Sequence, residues 1–217
     1  MTIEIHAFPP SPRSFKAMSV ANHLGLDWTL RVVDIVNGKQ RLPEFVALNP
    51  NMRTPVLKDG DYVLWEANAI TQYLAGRKPE SGLLPANEKG RLEVTRWQFW
   101  DLAHWDSACA VFIFENVVKA VVLKGGNPDS TALAKGEELF HRAATVLDGW
   151  LKGRPFVTGD TLTIADFALG APLNLADMAR IPLEPYAEIR RWHGILHALP
   201  AWQKTLAQCA LPAAAAA

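Results

Sequence analysis

A hydroxyl at the start of the first helical segment is the side chain in this sequence best placed for chemistry. Ser11 follows a β-rich run at residues 3–8 and precedes Pro12, a residue that favours the first position of a helix. Serine at this point suits the N-cap, where its oxygen accepts a bond from a helix amide. The positive end of a helix also stabilises an anion. We therefore expect Ser11 to cap the helix and to leave its proton free for an anionic ligand atom.

Other residue types that carry chemistry do not cluster along the chain. Cys109 and Cys209 lie far apart and form no CxxC pair, so neither a disulfide framework nor a redox pair is indicated. His193 and His197 are one helical turn apart but lack a third ligand, so we expect no metal.

The charge balance excludes several classes of partner. Lys+Arg and Asp+Glu both number 22, so no net field exists to hold a nucleic acid, and a small neutral or zwitterionic ligand fits better. The apolar stretch at 111–123 is interrupted by Glu115, Asn116 and Lys119, which disfavours a membrane span. The first residues lack the basic region of a secretory signal, so the expected location is cytoplasmic.

The first third of the chain alternates strand and helix patterns. Strand patterns cover 3–8, 28–33, 55–57 and 62–65, and the last two flank an Asp59-Gly60 turn typical of a hairpin. Helical patterns begin at Pro12 and at Ala67, with a shorter turn at 43–48. The predicted order is β-α-β-α-β-β-α.

The pattern changes near residue 78. Residues 79–89 are rich in proline, glycine and polar side chains, and every later segment indicates helix or turn. The sequence therefore predicts an α+β protein with a first domain at 1–78, a linker at 79–89 and an all-helical domain at 90–217. Within that domain, residues 91–123 are predicted to form one long helix.

Two specific motifs resemble those of the cytosolic glutathione S-transferases, over essentially the whole chain. The stretch from Asn49-Pro50 through Pro55-Val56-Leu57 to Leu64-Trp65-Glu66-Ala67 is close to that family's "NPxxxxPVLxDG…LxESxAIxxYL", and Gly159 to Asp166 is similar to its "GDxxTxAD". The turn at Phe8–Lys16 resembles, more weakly, that of serine-type, bacterial-like members. The resemblance implies a thioredoxin-like first domain, a helical second domain, and glutathione as co-substrate with no metal.

The resemblance implies catalytic roles for residues of the first turn. Ser11 matches the hydroxyl that activates the glutathione thiol, and Ser14, one turn later, is the second candidate. Arg13 stands where some relatives have an asparagine, and its charge is expected to help hold the thiolate or an acidic second substrate. None of the three tyrosines lies near this turn, so a tyrosine-type activator is absent.

Glutathione-binding residues follow from the same match. Thr54, whose bond to Pro55 is cis in the family, uses its backbone to pair with the cysteinyl unit, and Glu66 matches the acid that receives the γ-glutamyl ammonium. Ala67 replaces the family serine that holds the γ-glutamyl carboxylate, so only its backbone N–H and Asn68 remain for that group. The positions matched to the glycyl carboxylate and a nearby polar contact are Gln40, Arg41 and Arg53.

An electrophile pocket is expected between the first turn and the long helix. Its predicted lining consists of Pro9, Pro10, Trp100, Asp101, His104 and Trp105, although an aromatic stripe at helical spacing is also typical of a core. The expected partners are glutathione, a small hydrophobic electrophile, and a second copy of the chain in a homodimer. The expected reaction is conjugation in detoxification. Peroxide reduction, isomerisation, dehalogenation and a non-catalytic binding role stay open as alternatives.

Overall fold

The chain forms two compact units. The computed structural model describes residues 2–123 and 125–209. One unit comprises Met1–Ser81 together with the C-terminal segment from Ala198, and the other is Gly82–His197. The boundary near residue 81 lies inside the segment predicted as a linker.

The first unit contains a four-stranded mixed sheet. Its strands are β1 (Ile3–Ala7), β2 (Trp28–Val32), β3 (Val56–Asp59) and β4 (Tyr62–Trp65), in the order β2-β1-β3-β4. β1 is parallel to β2 and antiparallel to β3, and β3 is antiparallel to β4. Gly60 has a φ of 62° in the β3–β4 turn, where a residue without Cβ is favoured. The predicted β-α-β-α-β-β-α order is confirmed.

Short and long helices connect these strands. They are α1 (Pro12–His23), α2 (Pro43–Val46) and α3 (Ala67–Gly76), with 3-10 turns at Lys39–Arg41 and Pro79–Ser81. Pro12 occupies the first turn of α1, as its restricted φ predicts. The apolar face of α1 is buried through Phe15, Met18 and Val20.

The last described helix also belongs to the first unit, whereas the sequence assigned it to the helical domain. This helix, α10 (Pro200–Cys209), packs on α1. Trp202 is fully buried and meets Phe15 edge-on at 4.8 Å between ring centroids. An amphipathic pattern shows that a helix has an apolar face, but it does not show which core that face covers. Residues 210–217, the end of the predicted domain, lie outside the described part.

The second unit is helical. Its helices are α4 (Glu88–Trp100), α5 (Asp106–Ile113), α6 (Ser130–Leu151), α7 (Ile164–Gly170), α8 (Ala176–Ala179) and α9 (Ala187–His197), with a 3-10 turn at Ala171–Leu175. The predicted single helix at 91–123 is interrupted by π-helical segments at Asp101–Trp105 and Phe114–Val122. No helix in the described ranges is long and apolar enough to span a membrane.

A buried carboxylate holds the start of α7. Asp166 accepts hydrogen bonds from Thr163 N at 2.9 Å, Val157 N at 2.9 Å and Trp192 Nε1 at 3.0 Å. The capping box expected from Gly159–Asp166 is present. Burial raises the pKa of Asp166 to about 6 although all of these donors favour the ionised form.

Candidate functional site

The sheet register gathers the predicted site residues of the first unit at one edge. At that edge Ala7 pairs with Val32, His6 with Val56, and Val56 with Trp65. The chain therefore leaves β1 and β2, enters β3 and leaves β4 on the same side. The segments that begin or end there carry Ser11, Gln40, Thr54 and Glu66. Sites in open α/β sheets form at such carboxyl ends.

Two helix starts lie at the same edge. α1 follows β1 after a four-residue turn, and α3 follows β4 after Glu66 alone. The first turn of a helix exposes unpaired N–H groups and carries partial positive charge. The start of α1 has no acidic residue in its first turn or at its N-cap, and the start of α3 has none in its first turn but has Glu66 at its N-cap. This edge is therefore suited to an anionic ligand.

Ser11 is half-buried and extended, with φ −70° and ψ 130°, and its side chain makes no capping hydrogen bond. The expectation that its oxygen caps α1 is therefore wrong. Its backbone instead closes the turn, since Ser11 N donates to the Phe8 carbonyl at 3.0 Å and Phe15 N donates to the Ser11 carbonyl at 2.9 Å. Because these two bonds are made by backbone atoms, the Ser11 hydroxyl is not committed to a capping bond.

The two other candidates in this turn differ in exposure. Ser14 is fully buried, and its Oγ has no hydrogen-bond partner within the described residues. Arg13 is half-buried in the first turn of α1. A ligand entering from solvent can reach the Ser11 hydroxyl more readily than the Ser14 hydroxyl.

The loop before β3 is organised by a buried asparagine. Asn49 Nδ2 donates to the Arg53 carbonyl at 2.7 Å, and Asn49 Oδ1 accepts from Asn51 N at 3.0 Å. These bonds fold the loop back on itself just before Thr54. The Thr54–Pro55 bond is cis, as the resemblance implies, and Arg53 is exposed. The sequence analysis did not predict this role of Asn49 in shaping the loop, although its position in the Asn-Pro motif could have indicated it.

Glu66 adopts an unusual backbone conformation at the start of α3. Its φ is 73° and its ψ is 114°, values that non-glycine residues rarely adopt. Such conformations concentrate at ligand sites, where surrounding structure maintains them. The Glu66 side chain is exposed, whereas Ala67 and Asn68 are buried behind it.

The 3-10 turn after β2 presents an amide and a guanidinium. Gln40 is half-buried, and its Oε1 is shielded from solvent without a hydrogen-bond partner in the described ranges. Arg41 is exposed. The pair offers donors of the kind that bind a carboxylate.

The predicted electrophile-pocket residues of the second unit separate into two groups. Trp100 and His104 line a cavity of about 270 Å³ between the α4–α5 region and α6, together with Leu139 and Arg142. Trp105 instead lies in the interior, fully buried, with its Nε1 donating to the Leu169 carbonyl at 2.8 Å. Asp101 is also fully buried. The helical spacing predicted only that these four residues share a broad side of the helix. In the structure, Asp101 and Trp105 on that side face the core, whereas Trp100 and His104 line the cavity.

The described residues contain no cluster of three or more side chains able to hold a metal ion.

The two prolines before Ser11, in the first unit, differ in exposure: Pro9 is buried and Pro10 is half-buried. One contact to this turn was not expected from the sequence. Cys209 Sγ, at the end of α10, lies 2.8 Å from the Pro9 carbonyl oxygen.

Comparisons with known proteins agree with this architecture. Residues 1–76 match the glutathione S-transferase N-terminal domain, and residues 104–200 match the C-terminal domain. Glutathione S-transferase 3 of Zea mays is 32% identical over 97% of this chain and 96% of its own. Glutathione S-transferase D7 of Drosophila melanogaster is 28% identical over 94% of this chain and 88% of its own.

A solved structure of glutathione S-transferase III in its apo form superposes with a TM-score of 0.86 and 29% identity, covering 98% of this chain and 99% of that one. Sequence motifs, sheet topology and whole-length similarity thus agree. The chain belongs to the glutathione S-transferase family.

Proposed function

We propose that this protein is a glutathione S-transferase that activates the thiol of glutathione for attack on a hydrophobic electrophile. The observation that carries the proposal is the shared sheet edge, where the Ser11 turn, the Thr54–Pro55 bond and the start of α3 come together. This arrangement supports binding of an extended, charged peptide with its thiol near the start of α1.

Each part of glutathione has a matching group at this edge. The Glu66 carboxylate binds the γ-glutamyl ammonium, and the backbone N–H groups of Ala67 and Asn68 bind the γ-glutamyl carboxylate. The Thr54 backbone pairs with the cysteinyl unit as an added strand does. Gln40 and Arg41 bind the glycyl carboxylate, with Arg53 as a nearby polar contact.

The reaction begins with loss of the thiol proton to solvent. The Ser11 hydroxyl donates a hydrogen bond to the resulting thiolate, and the positive end of α1 stabilises the same charge. Arg13 adds positive charge to this environment. The sulfur then forms a bond to an electrophilic carbon, and the leaving group departs with the displaced electron pair. Trp100 and His104, which line the cavity beside α6, contribute aromatic surface for the electrophile.

One binding assay and one activity assay test this proposal together. The protein is passed over immobilised glutathione and is then assayed with glutathione and a generic aryl halide. Retention with turnover supports the transferase. Retention without turnover favours another glutathione-dependent reaction, and absence of both favours a non-catalytic binding protein.

The expected location of the protein, by family resemblance, is the cytoplasm.

Ala67 makes weak glutathione binding a specific prediction. Ala67→Ser restores the hydroxyl at the start of α3, and a hydrogen bond to a charged group is worth about 1.5–3 kcal/mol. We expect the Kd for glutathione, measured by calorimetry, to fall about 10- to 100-fold. Ala69→Ser, two residues further along α3, is the matched control and leaves the Kd unchanged. Equal affinities for the wild type and Ala67→Ser would contradict the assignment of this position to the γ-glutamyl carboxylate.

We also propose that the protein is a homodimer. Leu92 and Phe99 of α4 are 59% and 68% exposed and lie two helical turns apart, on one face. We expect a dimer mass in sedimentation equilibrium for the wild type and a monomer mass for Phe99→Glu. Lys152→Glu, a charge change elsewhere on the surface, is the control, and a monomeric wild type would overturn the proposal.

A further inference from the structure

The turn that carries Ser11 has few backbone donors to hold it. Pro9 and Pro10 have no N–H, so this segment cannot anchor itself to neighbouring strands by donating hydrogen bonds. One bond inside the turn is made by Ser11 N to the Phe8 carbonyl at 3.0 Å. The position of the Ser11 hydroxyl therefore depends on what else contacts the turn.

The C-terminal helix makes such a contact. The Cys209 thiol donates to the Pro9 carbonyl oxygen across 200 residues of sequence, with 2.8 Å between sulfur and oxygen. Burial raises the pKa of Cys209 to about 12, so the group keeps its proton and stays a donor throughout the neutral range. No disulfide involves this cysteine.

Other contacts hold α10 against α1. Asn22 Nδ2, near the far end of α1, donates to Thr205 Oγ1 and to Gln208 Oε1, both at 2.8 Å. Trp202 packs on Phe15. The helix is thus held by several contacts, and the Cys209 thiol is the group that extends from it to the Pro9 carbonyl.

We propose that Cys209 is a positioning residue that fixes the Pro9–Ser11 turn, and with it the Ser11 hydroxyl, through the thiol bond to the Pro9 carbonyl. The functional consequence rests on the proposed role of Ser11 as thiol activator. The sulfur of Cys209 itself takes no part in the chemistry.

The test compares three variants at neighbouring positions. Cys209→Ala removes the donor, Cys209→Ser keeps a donor, and Gln208→Ala removes a bond from α10 to α1 without altering the thiol. We expect Cys209→Ala to lower kcat/KM about 2- to 5-fold and to raise the pKa of the bound glutathione thiol, measured from the pH profile, by about half a unit. Cys209→Ser and Gln208→Ala keep the wild-type profile.

Hydrogen exchange at the turn gives a readout independent of activity. The Ser11 amide, bonded to the Phe8 carbonyl, should exchange faster in Cys209→Ala than in the wild type or in Gln208→Ala. Unchanged exchange in Cys209→Ala overturns the proposal, even if the protein has no transferase activity. Where Ser11→Ala shifts the pH profile, a fall in the Tm of Cys209→Ala with an unchanged profile also overturns it, because that is the result of a purely structural role.

The Ser11→Ala variant separates the two proposals. If Ser11→Ala leaves the pH profile unchanged, the assigned role of Ser11 fails, and the exchange measurement alone decides whether Cys209 fixes the turn. If Ser11→Ala shifts the profile and Cys209→Ala does not, the role of Ser11 stands and Cys209 has no positioning role.

Discussion

Replacing Ser11 by alanine is expected to lower kcat/KM with glutathione about 10- to 100-fold at pH 7. The variant loses the hydroxyl that donates to the thiolate, and a hydrogen bond to a charged group contributes about 1.5–3 kcal/mol. The same energy corresponds to a rise of about 1–2 units in the pKa of the bound thiol. The helix start should survive, because the Ser11 side chain makes no capping bond that alanine would remove.

The pH dependence distinguishes this explanation from a loss of binding. A thiol with a raised pKa becomes ionised at more alkaline pH, so the deficit of Ser11→Ala should shrink as pH rises. Ser11→Thr keeps the hydroxyl and is expected to retain most activity. Ser14→Ala is the second control, since Ser14 is fully buried. A large loss in Ser14→Ala with full activity in Ser11→Ala would exchange the two assignments.

Local signals explain why the first unit could be predicted well from the sequence. The alternation of apolar runs, the proline at the start of α1 and the Asp59-Gly60 turn each act over a few residues. Once these elements are in order, the strand pairing places Ser11, Thr54 and Glu66 at one edge. The sequence motifs identified the same residues, but they could not predict that these residues lie at one edge of the sheet.

Long-range contacts explain what the sequence did not predict. The contact between Cys209 and Pro9 spans 200 residues, and no local pattern encodes it. The burial of Asp101 and Trp105 depends on which helices pack around them, whereas spacing gives only the side of the helix on which they lie. The absent Ser11 cap is a matter of side-chain orientation, which residue type does not determine.

Removal of the Asp166 carboxylate should destabilise the helical unit more than any other change considered for that unit. In Asp166→Ala the N–H groups of Val157, Thr163 and Trp192 lose their acceptor in a fully buried place. Each buried donor left unsatisfied costs about 1–3 kcal/mol, so we expect a loss of about 3–5 kcal/mol in the free energy of unfolding. Chemical denaturation at pH 7 measures it. Asp160→Ala, in the exposed part of the same motif, is the matched control and should change stability little.

The pH dependence of this loss reports whether burial or hydrogen bonding dominates at Asp166. Because the pKa is raised to about 6 in the folded protein, protonation stabilises the native state at low pH, and that contribution is lost as pH rises through about 6. The alanine variant lacks this titration. The stability difference between wild type and Asp166→Ala should therefore decrease by about 1 kcal/mol between pH 5 and pH 7.5. A difference that grows with pH would mean that the hydrogen bonds outweigh burial and that the native state prefers the carboxylate ionised.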